Sequence, residues 1–167
     1  TLTIAGSDCS GGAGVQADLK TMTMHNVYAM SVITALTAQN TQGVQAIKEV
    51  SNNFVIKQMQ SVFTDIYPDA IKIGMVASAS LIEDIVDQLI HFKAKNIIVD
   101  PVMVATSGAK LVNDDAIKAL KNKLFHLSLV ITPNIPEAEI LSGVKITTAS
   151  DMEKAAKNIG DTYFCAV

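Results

Sequence analysis

Long apolar runs and long basic runs are both missing from this chain, and each absence removes a class of function. No stretch approaches the roughly 20 apolar residues that a membrane-spanning helix needs, and no charged-then-apolar leader precedes the first strand-like run. With 13 basic against 16 acidic residues and a pI near 5.5, the charge balance carries no footprint for nucleic acid or for an anionic membrane surface. A small-molecule partner and a cytoplasmic location are therefore expected. Cysteine is scarce: Cys9 lies in a polar loop and Cys165 in the apolar final run, a pair with neither metal-ligand spacing nor a disulfide framework. His25, His91 and His126 are far apart in helix-like surroundings and read as surface or helix-end residues rather than ligands.

What is present is a large core. The 167 residues are 49% hydrophobic with a mean hydropathy of +0.32, enough for one domain. Short β-branched runs at 1–5, 30–37, 44–49, 70–75, 96–102, 128–133 and 163–167 alternate with longer segments of helical period. That is the pattern of βα units around a largely parallel sheet, and it predicts an α/β fold. Leu81, Ile82, Ile85, Val86, Leu89 and Ile90 form one wide apolar stripe, opposite Glu83, Asp84 and Asp87. Phe54, Ile56, Met59, Val62 and Phe63 suggest a second stripe, and Ile117, Leu120 and Leu124 a third. Methionines on these faces read as core filler. Both ends fall inside strand-like runs, so the domain is expected to continue past Val167 and slightly before Thr1.

The run Ala5-Gly6-Ser7-Asp8-Cys9-Ser10-Gly11-Gly12-Ala13-Gly14 joins the first strand-like run to a helix-like one. It places a donor-rich turn at a strand's C-terminal end, where ligands bind in open α/β sheets. A phosphate cradle is one reading and a plain surface turn another. The residues fit neither Gly-x-Gly-x-x-Gly nor the Walker pattern, because Val15 and Gln16 follow Gly14 where Lys and Ser or Thr would be required. The wrong glycine spacing also argues against a dinucleotide-binding oxidoreductase.

Five further positions, in three segments, can carry chemistry. Gln39, in the polar stretch 38–43 expected to form a turn, offers both a donor pair and an acceptor, which suits the edge of a neutral nitrogen heterocycle; a simple turn residue is the other reading. Asp100 ends an apolar strand and is followed by Pro101, so its carboxylate should emerge at the C-terminal sheet edge. One strand later, Thr132, Asn134 and Glu137 repeat the arrangement at the same edge. Two carboxylates with a polar Asn and Thr make the hard-oxygen surroundings that Mg²⁺ prefers when it is held with a nucleotide's phosphates. Pro136-Glu137 also reads as an ordinary helix start.

Taken in order, the run 6–20, Val32-Ile33-Thr34-Ala35 leading to Gln39-Asn40-Thr41, Lys72-Ile73-Gly74-Met75, Asp100-Pro101-Val102-Met103, Ser107-Gly108 and Thr132-Pro133-Asn134 with Glu137 resemble the hydroxymethylpyrimidine/phosphomethylpyrimidine kinases of thiamine biosynthesis. The resemblance spans nearly the whole chain. It implies a ribokinase-like three-layer α/β/α sandwich with a mostly parallel central sheet, forming a single domain over residues 1–167 that lacks its C-terminal part. It implies phosphorylation by ATP of 4-amino-5-hydroxymethyl-2-methylpyrimidine, then of its monophosphate to the diphosphate. Gln39, Gly6, Ala13, Met75 and Val102 would bind the pyrimidine. Thr132 and Asn134 would serve ATP, Asp100 and Glu137 its Mg²⁺, and the protein would be a homodimer. The resemblance departs in one place: the Gly-Thr-Gly-Cys or Gly-Thr-Gly-Asp motif that carries the superfamily's anion hole and catalytic residue is absent from this sequence. The catalytic residue is therefore expected beyond Val167, and residues 1–167 alone are expected to be inactive. Pyridoxal kinase activity on the same fold, and a pyrimidine- or nucleotide-binding module without catalysis, are the competing readings.

Overall fold

The computed structural model describes residues 1–103 and 112–167. The Ser107-Gly108 motif lies outside the described residues. The element order is β1 (Leu2–Asp8), α1 (Gly14–Met24), β2 (Met30–Asn40), β3 (Gly43–Glu49), α2 (Asn52–Phe63), β4 (Ile71–Ile73), α3 (Ala79–His91), β5 (Ile97–Val99), α4 (Asp114–Ala119), β6 (Val130–Ile131), α5 (Ile135–Ser142) and α6 (Ala149–Tyr163). The strands form one sheet in the order β3-β2-β1-β4-β5-β6. All neighbours run parallel except the β2–β3 hairpin.

This order explains the composition of the strands. β1 lies in the middle, and Leu2, Thr3, Ile4, Ala5 and Gly6 are all buried, so both of its faces are covered, as befits a parallel sheet flanked by helices. Ile71, Ile73, Ile97 and Val99 continue the core through β4 and β5. α3 contributes Leu81, Ile82, Ile85, Val86 and Leu89, as its period predicts, each fully buried apolar side chain being worth about 2 kcal/mol. Ile90 lies beyond the edge of that stripe and is exposed.

Four expectations need correction. In α2 the buried positions are Val55, Met59 and Phe63, spaced four apart, while Phe54 is 58% exposed; the apolar surface of this helix is wider than the face it buries. Of the methionines, Met59 and Met103 are core, but Met24 and Met152 are exposed. The polar stretch after Thr37 is mostly strand, because β2 and β3 pair as far as Asn40 and Gly43, leaving only Thr41 and Gln42 for the turn. Residues 163–167 are not a full strand. The period of α6 carries its buried residues Ala155, Ile159 and Tyr163 to the helix end, Phe164 turns left-handed at φ 58°, and Ala166 alone bridges in parallel to Val130.

Helix starts set the positions of the site residues. The Asn134 side chain accepts from the Glu137 N–H at 3.0 Å, while the Glu137 carboxylate accepts from the Asn134 N–H at 2.9 Å. This capping box and the left-handed Gly143 at the far end define α5. Among the described residues no helix is long and apolar enough to cross a membrane.

Candidate active site

A pocket of about 540 Å³ opens at the C-terminal edge of the sheet. β1 supplies Gly6 and Asp8 to it, the end of the glycine loop supplies Ala13, α1 supplies Asp18, the β2–β3 hairpin Gln39 and Ile47, and β4 supplies Lys72. The segments after β4, β5 and β6 add Met75, Asp100, Val102, Asn134 and Glu137. Eight positions expected from sequence thus meet in one crevice: Gly6, Ala13, Gln39, Met75, Val102, Asp100, Asn134 and Glu137. Thr132 does not join them. The chain turns at Pro133 into α5, and Thr132 lines a separate cleft of about 390 Å³ with Ile146, Met152 and Val167.

The glycine loop does not offer the N–H groups of Ser10, Gly11, Gly12 and Ala13 to an anion, because all four are already bonded to Asp8. Asp8 Oδ1 accepts from the Ser10 N–H at 2.8 Å and from the Ser10 hydroxyl at 2.7 Å. Asp8 Oδ2 accepts from the N–H groups of Gly12 and Ala13 at 3.0 and 2.9 Å. A buried carboxylate therefore holds the loop in shape from inside, with its charge met by four donors. The hydroxyl of Ser10 is the main reason that the Asp8 carboxyl lies below its ordinary value of 3.8, with the backbone donors adding to it against the opposing effect of burial. An acid with a lowered folded-state pKa contributes stability in full above its unfolded value, and loses it as pH falls through the folded one. The loop is accordingly expected to loosen on acidification below about pH 4. Amide exchange at Ser10, Gly12 and Ala13 checks this: Asp8→Asn should raise exchange about tenfold or more at pH 6, and unchanged rates would contradict it.

Two other ties fix the loop. The Gln16 side chain donates to Ser7 Oγ at 2.7 Å and accepts from the Asp8 N–H at 2.9 Å. The Cys9 thiol donates to the Gln39 carbonyl at 3.1 Å and accepts from the Gln39 N–H at 3.3 Å, joining the loop to the end of β2. The Gln39 amide oxygen accepts from the Thr37 hydroxyl at 3.1 Å, which orients the side chain along the pocket wall.

The opposite wall is charged. Lys72 Nζ lies 3.1 Å from Asp18 Oδ2 and 3.6 Å from Asp100 Oδ2, and Asp18 Oδ2 also accepts from the Thr3 hydroxyl at 2.6 Å. Burial pushes the Asp100 carboxyl above its ordinary value; Lys72 opposes that shift and Asp18 adds to it. Glu137 is almost completely buried, and its carboxylate accepts from the Met103 N–H at 3.0 Å and from the Asn134 N–H. Its two oxygens thus splice the segment after β5 to the start of α5. Asp8, Asp18 and Lys72 were not singled out as site residues from sequence. Asp8 carried a signal, since Asp-x-Ser-Gly-Gly favours local side-chain-to-backbone bonding. Asp18 and Lys72 lie within motifs that the resemblance uses, but nothing in the sequence signalled that they pair, being 54 residues apart.

Residues 8–167 match the family model described as phosphomethylpyrimidine kinase. The hydroxymethylpyrimidine/phosphomethylpyrimidine kinase of Rhizobium meliloti is 50% identical over 167 residues, covering 99% of this chain and 62% of that protein. A crystal structure of phosphomethylpyrimidine kinase from Clostridium difficile superposes with a TM-score of 0.91 at 49% identity, covering 96% of this chain and 70% of that one. The Bacillus subtilis pyridoxal kinase, solved as an ADP complex, gives a TM-score of 0.85 at 36% identity over 96% of this chain and 60% of that one. This chain spans between 32% and 62% of the length of three such relatives. The fold is the ribokinase-like α/β fold of these kinases, and the chain belongs to the phosphomethylpyrimidine kinase family.

Proposed function

We propose that the complete protein carrying this chain uses ATP to phosphorylate 4-amino-5-hydroxymethyl-2-methylpyrimidine at its hydroxymethyl oxygen, and then phosphorylates the monophosphate to the diphosphate. The observation that carries the reading is the pocket's two-sidedness. Gln39 and the apolar surfaces of Met75 and Val102 stand in the same crevice as Asp100, so a flat, hydrogen-bonding ring and a reacting hydroxyl can be accommodated together. The Gln39 amide can pair with a ring nitrogen and the exocyclic amine. Gly6 and Ala13 leave room for the ring against the backbone. In the transfer, the hydroxyl oxygen bonds to the γ-phosphorus as the bond to the ADP oxygen breaks, and the hydroxyl proton is released. This chain's part is to hold the ring, exclude water and keep the acceptor oxygen in line.

Among the described residues no three His, Cys, Asp or Glu side chains cluster as a self-sufficient metal cage. The donor set instead fits Mg²⁺ held through waters and phosphates, with Asp100 as the half-exposed carboxylate and Glu137 and Asn134 organising the segment beside it. Bound Mg²⁺ would supply charge neutralisation at the transferring phosphates. In this reading Asn134, which lines the pocket, would serve the nucleotide, and Thr132 would reach it only from the neighbouring cleft.

Gln39→Ala in the complete enzyme should raise the KM for the pyrimidine about tenfold or more while changing the KM for ATP less than about threefold. Equal effects on both would contradict the assignment. Pyridoxal as the preferred substrate is the second reading, favoured by the structural likeness to pyridoxal kinase at lower identity. The proposed assembly is a cytoplasmic homodimer. It is supported by β3, an edge strand whose seven residues are all exposed, with Val44 and Ile47 presenting apolar surface beside the pocket. Light scattering should give twice the protein's mass, and the mass of a single chain would contradict it.

A further inference from the structure

The pocket is an acidic place for an anionic substrate, and one side chain offsets that. Its lining holds four carboxylates, Asp8, Asp18, Asp100 and Glu137, and among the described lining residues Lys72 is the one basic side chain. Asp8 is met by donors from its own loop, and Glu137 by the N–H groups of Met103 and Asn134. Asp18 and Asp100 share the Lys72 ammonium, at 3.1 and 3.6 Å, leaving that wall with a net negative charge. A neutral alcohol can enter such a pocket without penalty. A phosphomonoester dianion cannot, unless a cation faces it.

We propose that Lys72 is the residue that admits the phosphomonoester, and so determines specificity for the second of the two phosphorylations; this rests on the kinase reading above. Its hydrogen bond to Asp18 occupies one of three ammonium N–H groups, and the head is only partly screened, with 23% of the side chain exposed. Its place is prepared by the backbone. A Cβ at Gly74 would come within 3.0 Å of Lys72 Nζ and 3.1 Å of the Ala5 Cβ, so a side chain there would press the ammonium aside by a few tenths of an ångström. Asp18, whose carboxylate the Thr3 hydroxyl holds in place, pairs with it on one side, and the ammonium lines the same crevice as Asp100.

Calorimetric binding of 4-amino-5-hydroxymethyl-2-methylpyrimidine and of its phosphomonoester to the complete protein, in metal-free buffer without nucleotide, separates the possibilities. Lys72→Met should weaken the phosphomonoester about 10- to 100-fold and the alcohol less than about threefold. Gly74→Ala, which displaces the ammonium without removing its charge, should weaken the phosphomonoester selectively in the same direction, and it stands as the test if Lys72→Met does not fold. Equal weakening of both ligands, or no change in either, overturns the proposal and leaves Lys72 as a counter-ion to Asp18 and Asp100. Failure of the alcohol to bind the wild-type protein overturns the kinase reading itself, and this inference with it.

Discussion

Gly14→Ala is expected to lower the melting temperature by about 10 °C and to abolish pyrimidine binding. Gly14 opens α1 at φ 55°, a left-handed conformation that costs an alanine about 1–2 kcal/mol. A Cβ there would also collide with the carbonyl oxygen of Gly6, a backbone atom that has no rotamer with which to give way. Forced overpacking of this kind costs about 1–3 kcal/mol more. The collision falls where Ser7 bridges Gly14, so relieving it would move residues that line the pocket. The neighbouring glycine supplies the control. At Gly12 a Cβ would lie 3.6 Å from Asp8 Oδ2, an ordinary contact, and its φ is not in the left-handed region. Gly12→Ala should therefore change the melting temperature by less than about 2 °C. Thermal denaturation followed by circular dichroism decides between these outcomes, and similar values for the two variants would contradict the close-approach account.

Asp100→Asn is expected to lower kcat of the complete enzyme about 100-fold or more with little change in the pyrimidine KM. The substitution keeps shape and removes charge at the one carboxylate that is half-exposed at the crevice and bonded to no backbone donor among those described. Stability should move little. The wild-type carboxyl is already disfavoured by burial, so removing its charge relieves a cost, and Lys72 retains its bond to Asp18 at 3.1 Å. Steady-state kinetics against Mg²⁺ concentration, with a melting curve alongside, provide the check. A kcat within threefold of wild type would remove Asp100 from the phosphoryl-transfer machinery.

The parts of this molecule that were legible in the sequence are those determined over short distances. The end of β1 running through a glycine turn into α1, and Asp100 followed by Pro101 at a strand end, are each specified within about ten residues by local steric and periodicity rules. Gln39 reads from the sequence either as an amide free to face a ligand or as a simple turn residue, and its surroundings are strand where a turn is expected: polar residues on an exposed hairpin satisfy strand pairing as well as they satisfy a loop. The less legible parts depend on what packs against what. Phe54 is as hydrophobic as Phe63, and only the position of the sheet decides that one is exposed and the other buried. The Lys72–Asp18 pair exists because β4 lies next to β1, whose loop leads into α1, an adjacency that no spacing rule reports. The glycine loop illustrates both cases. Its flexibility and location could be read directly, but its N–H groups turn inward to Asp8 rather than outward to a phosphate, and that only the assembled structure shows.

The central claim is that this pocket selects an aminopyrimidine alcohol for phosphorylation by ATP. It is tested most directly by supplying the complete protein with ATP, Mg²⁺ and either 4-amino-5-hydroxymethyl-2-methylpyrimidine or pyridoxal, and measuring phosphorylated product by mass spectrometry. The account predicts monophosphate and then diphosphate from the pyrimidine, with a kcat/KM at least about tenfold above that for pyridoxal. Turnover of pyridoxal at equal or greater efficiency, or ATP-dependent product from neither compound, would contradict it.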